Sequence, residues 1–200
     1  DKRKYNQAPP NPFDLTSAQV ESYRLFGIPP KDTLAILQEL YVAGWTSYPR
    51  TSSQKLPKEL GYANILKQLA RNEKYKKIAD ELLEKDKKTG LKPNEGKKED
   101  DAHPAIYPTG IKPTKLEGRQ FKVYDLVVKR FFATFGEPAV RENVKASIVV
   151  SNETFFAKGT RTIDRQWHAY YDPYVKLEEV ELPKLEEKQT LSQVKVTKEN

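Results

Sequence analysis

The sequence predicts an α+β chain built from more than one unit, helical first and β-rich afterwards. Three observations carry this reading. Apolar residues recur at helical spacing in short segments, each closed by Gly or Pro, as far as about residue 112. Beyond Arg141 the period changes to two, with Val144, Ala146, Ile148 and Val150 alternating with polar residues. The 200 residues carry 37% hydrophobic content, enough for modest cores but not for one large one. The predicted boundaries are a lead-in over 1–10, a helical unit over 11–112 and a β-rich unit over 113–200.

Residues 1 to 12 are polar and Pro-rich, an extended lead-in without a periodic apolar face. Thr16-Ser17-Ala18-Gln19 has capping-box spacing and opens a short helix that carries Val20, Tyr23, Leu25 and Phe26 and stops at Gly27. Pro29-Pro30 restarts the chain, and Leu34, Leu37, Leu40 and Tyr41 fall at helical spacing before Gly44. The pair with its tight Gly-Ile-Pro-Pro turn is a candidate helix-turn-helix, although an ordinary helical hairpin has the same pattern. Pro57 opens a third helix with Leu60, Ile65, Leu66 and Leu69, and a fourth runs from about Asn72 through Tyr75, Ile78, Leu82 and Leu83. Residues 85–101 offer almost nothing to bury and are expected to form a mobile surface loop. Gln120 to Phe135 is a strong helix with a broad apolar face, stopped by Gly136 and Pro138. A hairpin turning at Ser151-Asn152-Glu153 follows, and Trp167–Tyr171, Val175–Leu182 and Leu191–Val196 read as further strands.

With no Cys, neither disulfides nor thiolate metal sites are available, which fits a reducing, cytoplasmic setting. No signal-like run and no apolar stretch approaching roughly 18 residues is present, against secretion and membrane insertion. The start at Asp1 and the end at Asn200 read as cut points in something longer. The excess of 35 Lys and Arg over 28 Asp and Glu gives a net charge of +7 and favours a polyanionic partner, although mixed charge this dense also serves solubility.

Within this basic chain, Tyr48-Pro49-Arg50 places a phenol and a guanidinium two residues apart. Pro49 disfavours the helical region for Tyr48, and in an extended segment side chains at i and i+2 share a face. Both groups can then address one phosphate, as phosphoryl transfer on nucleic acid requires. On its own the tripeptide is more often what chance supplies, a packed Tyr beside a solvated Arg. Two rival readings therefore stand beside the enzyme: a non-catalytic helix-turn-helix DNA-binding module, and a structural domain with incidental basic charge.

Three blocks in order, Pro10 to Leu15, Tyr41 to Pro57 and Asp101 to Thr109, resemble the type IA DNA topoisomerases, especially the archaeal forms and the topoisomerase half of reverse gyrase. A fourth, weaker block is Tyr124 to Phe135 with the strands after it. The resemblance implies that Tyr48 is the nucleophile, forming a transient 5′-phosphotyrosine in one DNA strand, and that reversal of the attack relaxes negative supercoils without ATP. It implies that Arg50 contacts DNA and joins Tyr48 in catalysis, and that His103, in an Ala-His-x-Ala-Ile motif, binds DNA by donating to the scissile phosphate or helps a proton move. Thr51, Ser52 and Ser53 are candidate hydroxyl donors to backbone or DNA, Thr51 and Ser53 being the DNA-binding candidates. No role transfers to Ser52, where many bacterial relatives carry an acidic residue, or to Tyr107, where they often carry Arg; His168 is expected to be structural. The family's acidic Mg²⁺-binding domain precedes such blocks, and no matching cluster occurs here. Asp100-Asp101 is read as a loop charge pair, no metal site is expected in this chain, and Mg²⁺ belongs to the full-length enzyme. The implied setting is a monomer acting on single-stranded or negatively supercoiled DNA in the nucleoid, with the 200 residues alone inactive in relaxation. The helical unit would be the catalytic-tyrosine domain with a helix-turn-helix-like core. Residues 113–200 would be part of a β-rich arch that opens a gate for DNA, with the lead-in compatible with that arch.

Overall fold

A computed structural model describes residues 1–150, 152–184, 186 and 189–190. Its elements run β1 (Lys2–Gln7), α1 (Leu15–Phe26), α2 (Pro30–Val42), a 3₁₀ turn (Lys58–Leu60), α3 (Tyr62–Leu69), α4 (Glu73–Thr89), α5 (Gly118–Thr134), β2 (Ala139–Val150), β3 (Glu153–Asp164) and α6 (Trp167–Tyr171). The class is α+β, with helices around one apolar core and a three-stranded antiparallel sheet in the order β1-β2-β3.

Helix α1 begins two residues earlier than the sequence suggests, because Asp14 rather than Thr16 caps it. Asp14 Oδ1 accepts from Ser17 N–H at 2.7 Å, while Ser17 Oγ accepts from Asp14 N–H at 3.1 Å. Val20 and Tyr23, expected on the buried face, are exposed, and Ala18 and Ser22 are buried instead. Gly27 closes the helix in the left-handed region at φ 66°, where a Cβ is disfavoured. Helix α2 starts on Pro30 and buries Ile36, Leu37 and Leu40 against α1 and α5. Pro57 leads into a single 3₁₀ turn, and α3 proper starts five residues later at Tyr62.

Helix α5 is buried nearly all round from Val123 to Thr134, apart from Arg130, and touches α1, α2, α4 and α6. Such a helix must lie inside a core, and Phe131, Phe132 and Phe135 stack there with Tyr62 and Tyr75. Its length contains one charged cluster: Asp125 accepts from Tyr75 Oη at 2.8 Å and from Tyr174 Oη, and Lys74 Nζ lies 3.0 Å away.

Two expectations fail for physical reasons. Residues 85–101 are not a mobile loop. Helix α4 continues to Thr89, Leu91 and Gly96 are buried, and backbone bonds pin the remainder: Asn94 N–H to Thr134 O at 2.8 Å and Gln54 N–H to Lys98 O at 2.9 Å. Residues 90–101 are thus a strap held by main-chain pairing rather than by apolar side chains. Trp167–Tyr171 is a helix, not a strand, since only a helical turn puts Trp167, His168 and Tyr171 together into the core. Of Val175–Leu182, only Val180 pairs, through a bridge to Thr160; Leu191–Val196 lies outside the described residues. The lead-in, read as extended, forms strand β1 along β2, and β2 pairs with β3 through the expected hairpin.

Candidate active site around Tyr48

The site is built from segments without regular structure, held in place by main-chain hydrogen bonds. Residues 44–47 pair with 105–109. Ser47 N–H donates to Tyr107 O at 2.9 Å, Thr109 N–H to Trp45 O at 3.1 Å, and Thr109 Oγ1 to Gly44 O at 2.6 Å. Residues 51–55 pair with the strap and with the segment ahead of α1. Leu15 N–H donates to Thr51 O at 3.0 Å, and Ala105 N–H to Lys55 O at 2.8 Å. Ile106 N–H donates to Phe13 O at 2.7 Å, completing the contact. The blocks 10–15, 41–57 and 101–109, far apart in sequence, therefore meet in one place.

Tyr48-Pro49-Arg50 lies between these pairings. Pro49 is buried, Tyr48 half-buried and Arg50 exposed, and the chain bends at Pro49 rather than running as a strand. The Tyr48 ring sits 4.6 Å from the His103 ring and 5.2 Å from that of Tyr41, the latter edge-on. Among the described residues Arg50 has no ion pair or hydrogen-bond partner, so its guanidinium is free to take a ligand's oxygen atoms. Tyr48 and His103 are brought together, and Arg50 follows Tyr48 by two residues on the exposed side of the same segment.

Thr51 and Ser53 are placed differently. Both are almost wholly buried. Thr51 Oγ1 donates to His103 O at 3.2 Å and accepts from Ser53 N–H at 3.0 Å, and Ser53 Oγ accepts from Lys55 N–H at 3.1 Å. In this conformation both hydroxyls act on the backbone that carries Tyr48. Ser52 faces outward toward Asp100. Tyr107 is half-buried, and burial raises the pKa of its phenol. His168 lies remote in α6, 1% exposed, with Nε2 3.0 Å from Gln7 Oε1. Burial, then Arg141 and Arg165, hold its pKa below the ordinary value.

Asp14 is a residue that sequence reasoning left without a role. Besides capping α1 it accepts from Gln54 Nε2 at 3.2 Å and Lys98 Nζ at 2.8 Å, tying helix, tyrosine segment and strap together. Burial alone would raise its pKa, but the bonds from Lys98 and Ser17 outweigh burial and hold it below the usual carboxylate range. Its sequence signals were its place in the Pro10–Leu15 block and an acidic residue just ahead of a helix, neither of which names its partners.

Among the described residues no group of three or more His, Asp or Glu side chains is placed to hold a metal ion. Asp100 is occupied by backbone N–H groups and Asp101 stands exposed, which does not fit the oxygen cage that Mg²⁺ requires.

The architecture is that of a topoisomerase I: the full-length enzyme of Thermotoga maritima superposes on 93% of this chain and 30% of its own with a TM-score of 0.63 at 23% identity. The model of the family described as DNA topoisomerase matches residues 1–200. DNA topoisomerase 1 of Methanothermobacter thermautotrophicus is 48% identical over 177 residues, covering 88% of this chain and 24% of that protein. DNA topoisomerase 1 of Pyrococcus horikoshii is 48% identical over 183 residues, covering 90% and 26%. The chain belongs to the DNA topoisomerase family, in its type IA class. It spans about a quarter of the length of these two relatives.

Proposed function

We propose that this chain carries the strand-cleaving tyrosine of an ATP-independent type IA DNA topoisomerase. The observation that carries the reading is the meeting of Tyr48 with His103 at 4.6 Å beside an unpartnered Arg50. Tyr48 Oη attacks a backbone phosphorus, the new P–O bond links the tyrosine to the 5′ end of the break, and the 3′-oxygen leaves and takes up a proton. Reversing the attack from the 3′-hydroxyl reseals the strand, and because the ester keeps the phosphodiester's bond energy no ATP is needed. A phenol is a poor nucleophile at neutral pH, so charge developing on it and on the phosphate needs nearby donors. Arg50 supplies a permanent charge with a fork that fits phosphate oxygens, and His103 a ring N–H. Thr51 and Ser53 support the loop from beneath.

The substrate is single-stranded or negatively supercoiled DNA, the outcome is relaxation of negative supercoils, and the full-length enzyme is a monomer of the nucleoid. Mg²⁺ would be held by acidic residues outside this chain. Residues 11–112 act as the catalytic unit with a helix-turn-helix-like core in α1 and α2, and 113–200 as part of the gate-forming arch, with α5 its anchor on the helical core. The 200 residues alone do not relax plasmid. The test is Tyr48→Phe in the full-length enzyme: the reading requires relaxation and covalent adduct to vanish with DNA binding retained. Unchanged relaxation would favour a non-catalytic DNA-binding module.

A further inference from the structure

His103 reaches Tyr48 from a segment without regular structure, and among the described residues its ring makes no hydrogen bond to protein. Its backbone fixes it. Asp100 Oδ1 accepts from Ala102 N–H at 3.0 Å and from His103 N–H at 3.1 Å, closing a turn on the carboxylate. The other oxygen, Oδ2, accepts from Ser52 N–H and Ser52 Oγ, each at 3.4 Å, and Ser52 Oγ also lies 3.4 Å from Glu99 O. One carboxylate therefore bridges the histidine segment and the tyrosine segment, four residues beyond Tyr48. The bonds from Ala102, Ser52 and His103 hold its pKa below the ordinary carboxylate range, which leaves it ionised at neutral pH, bound closely through Oδ1 and more loosely through Oδ2. Neighbouring Asp101 is exposed and makes no such bond among the described residues.

We propose that Asp100, with Ser52 as its partner, is a positioning residue for strand cleavage: it latches the two segments so that His103 is presented to the phosphate that Tyr48 attacks. The inference rests on the reading of Tyr48 as nucleophile. Asp100 acts through the backbone and Ser52, with which it bonds, and not on the phosphate itself. It removes freedom from the loop that carries His103, and misplacement of a reacting group by about 1 Å can slow a reaction about a hundredfold. The latch also gives Ser52 a role that the sequence did not.

The variants separate the two halves of the latch. Asp100→Asn keeps an oxygen for the turn N–H groups but turns an NH₂ toward Ser52 N–H, two donors facing each other, whereas Asp100→Ala removes both halves. Ser52→Ala removes the hydroxyl and leaves the N–H contact. In the full-length enzyme, single-turnover cleavage of a single-stranded oligonucleotide should slow about tenfold in Asp100→Ala, less in Asp100→Asn and least in Ser52→Ala. The oligonucleotide Kd should stay within about twofold of the parent, and Ser52→Thr should restore the Ser52→Ala loss. Parental cleavage rates in Asp100→Asn and Ser52→Ala would overturn the latch, as would a Kd that rises in step with the loss of rate. Those two variants carry the test if Asp100→Ala fails to fold. Tyr48→Phe is run alongside. Adduct formation there overturns the reading of Tyr48, and the latch with it, while no adduct there and parental rates in the Asp100 and Ser52 variants overturn the latch alone.

Discussion

At the scale of single residues, exposure separates the group that meets a ligand from those that hold it in place. Arg50 is exposed and unpartnered among the described residues, so removing it should cost the fold little, within about 0.5 kcal/mol, as is usual for surface positions. Its loss should instead appear in chemistry. Arg50→Ala in the full-length enzyme is expected to slow oligonucleotide cleavage about a hundredfold, on the scale of deleting one donor to developing charge, and Arg50→Lys less. Rates measured beside melting curves check this; equal cleavage by Arg50→Ala and the parent would remove Arg50 from the mechanism. Thr51 predicts the opposite pattern. Its buried hydroxyl satisfies His103 O and Ser53 N–H, so Thr51→Val should destabilise the fold by about 1–3 kcal/mol in denaturant unfolding. Part of this was visible in the sequence: Tyr48, Arg50 and His103 were named from their motifs, and the structure sets the Tyr48 and His103 rings 4.6 Å apart. What was not visible was the direction each hydroxyl takes, because Thr51 and Ser53 are set by main-chain partners about fifty residues away or by neighbours two positions along.

At the scale of elements, helices with local signals were legible and pieces ordered by distant partners were not. Helix α5 announced itself through its broad apolar face, and the β2–β3 hairpin through alternation. Strand β1 pairs with a strand more than 130 residues later, a partner no local pattern reveals. The short α6 is rich in aromatics that favour strands, and tertiary burial overrides that preference. Its docking is tight. A Cβ on Gly136 would lie 2.5 Å from Trp167 Cβ and 2.8 Å from Trp167 Cα, so Gly136→Ala should push α6 outward and destabilise by about 1–3 kcal/mol, read from denaturant midpoints. His168 adds a pH dependence. Its pKa in the fold is depressed by burial and by Arg141 and Arg165, against the weaker opposing pull of Asp172 and Glu179. The unfolded chain therefore takes up the proton first as pH falls. The stability His168 contributes is complete above about pH 6.5 and is lost as pH falls through its lower value in the fold. The melting temperature should drop from pH 6.5 to 5, and His168→Gln, which can keep a bond to Gln7, should flatten that part of the profile.

At the scale of the whole molecule, one apolar core carries α1 to α6, and the segments around Tyr48 are stitched onto it by the strap and by Asp14. This arrangement explains how a site made of loops is held without a metal or a disulfide among the described residues. The net charge of +7 suits a polyanion, and the expected signature is salt dependence. The logarithm of affinity for single-stranded DNA should fall linearly with the logarithm of salt, by roughly 0.7 per phosphate contacted, and Arg50→Ala should reduce the slope by about that amount. A slope of zero would favour a structural domain. The most direct test of the central claim is to trap the covalent complex of the full-length enzyme with a single-stranded oligonucleotide, digest it and map the modified peptide. The account predicts a nucleotide phosphate on Tyr48 Oη joined to the 5′ end of the break; attachment to any other residue, or to the 3′ end, would contradict it.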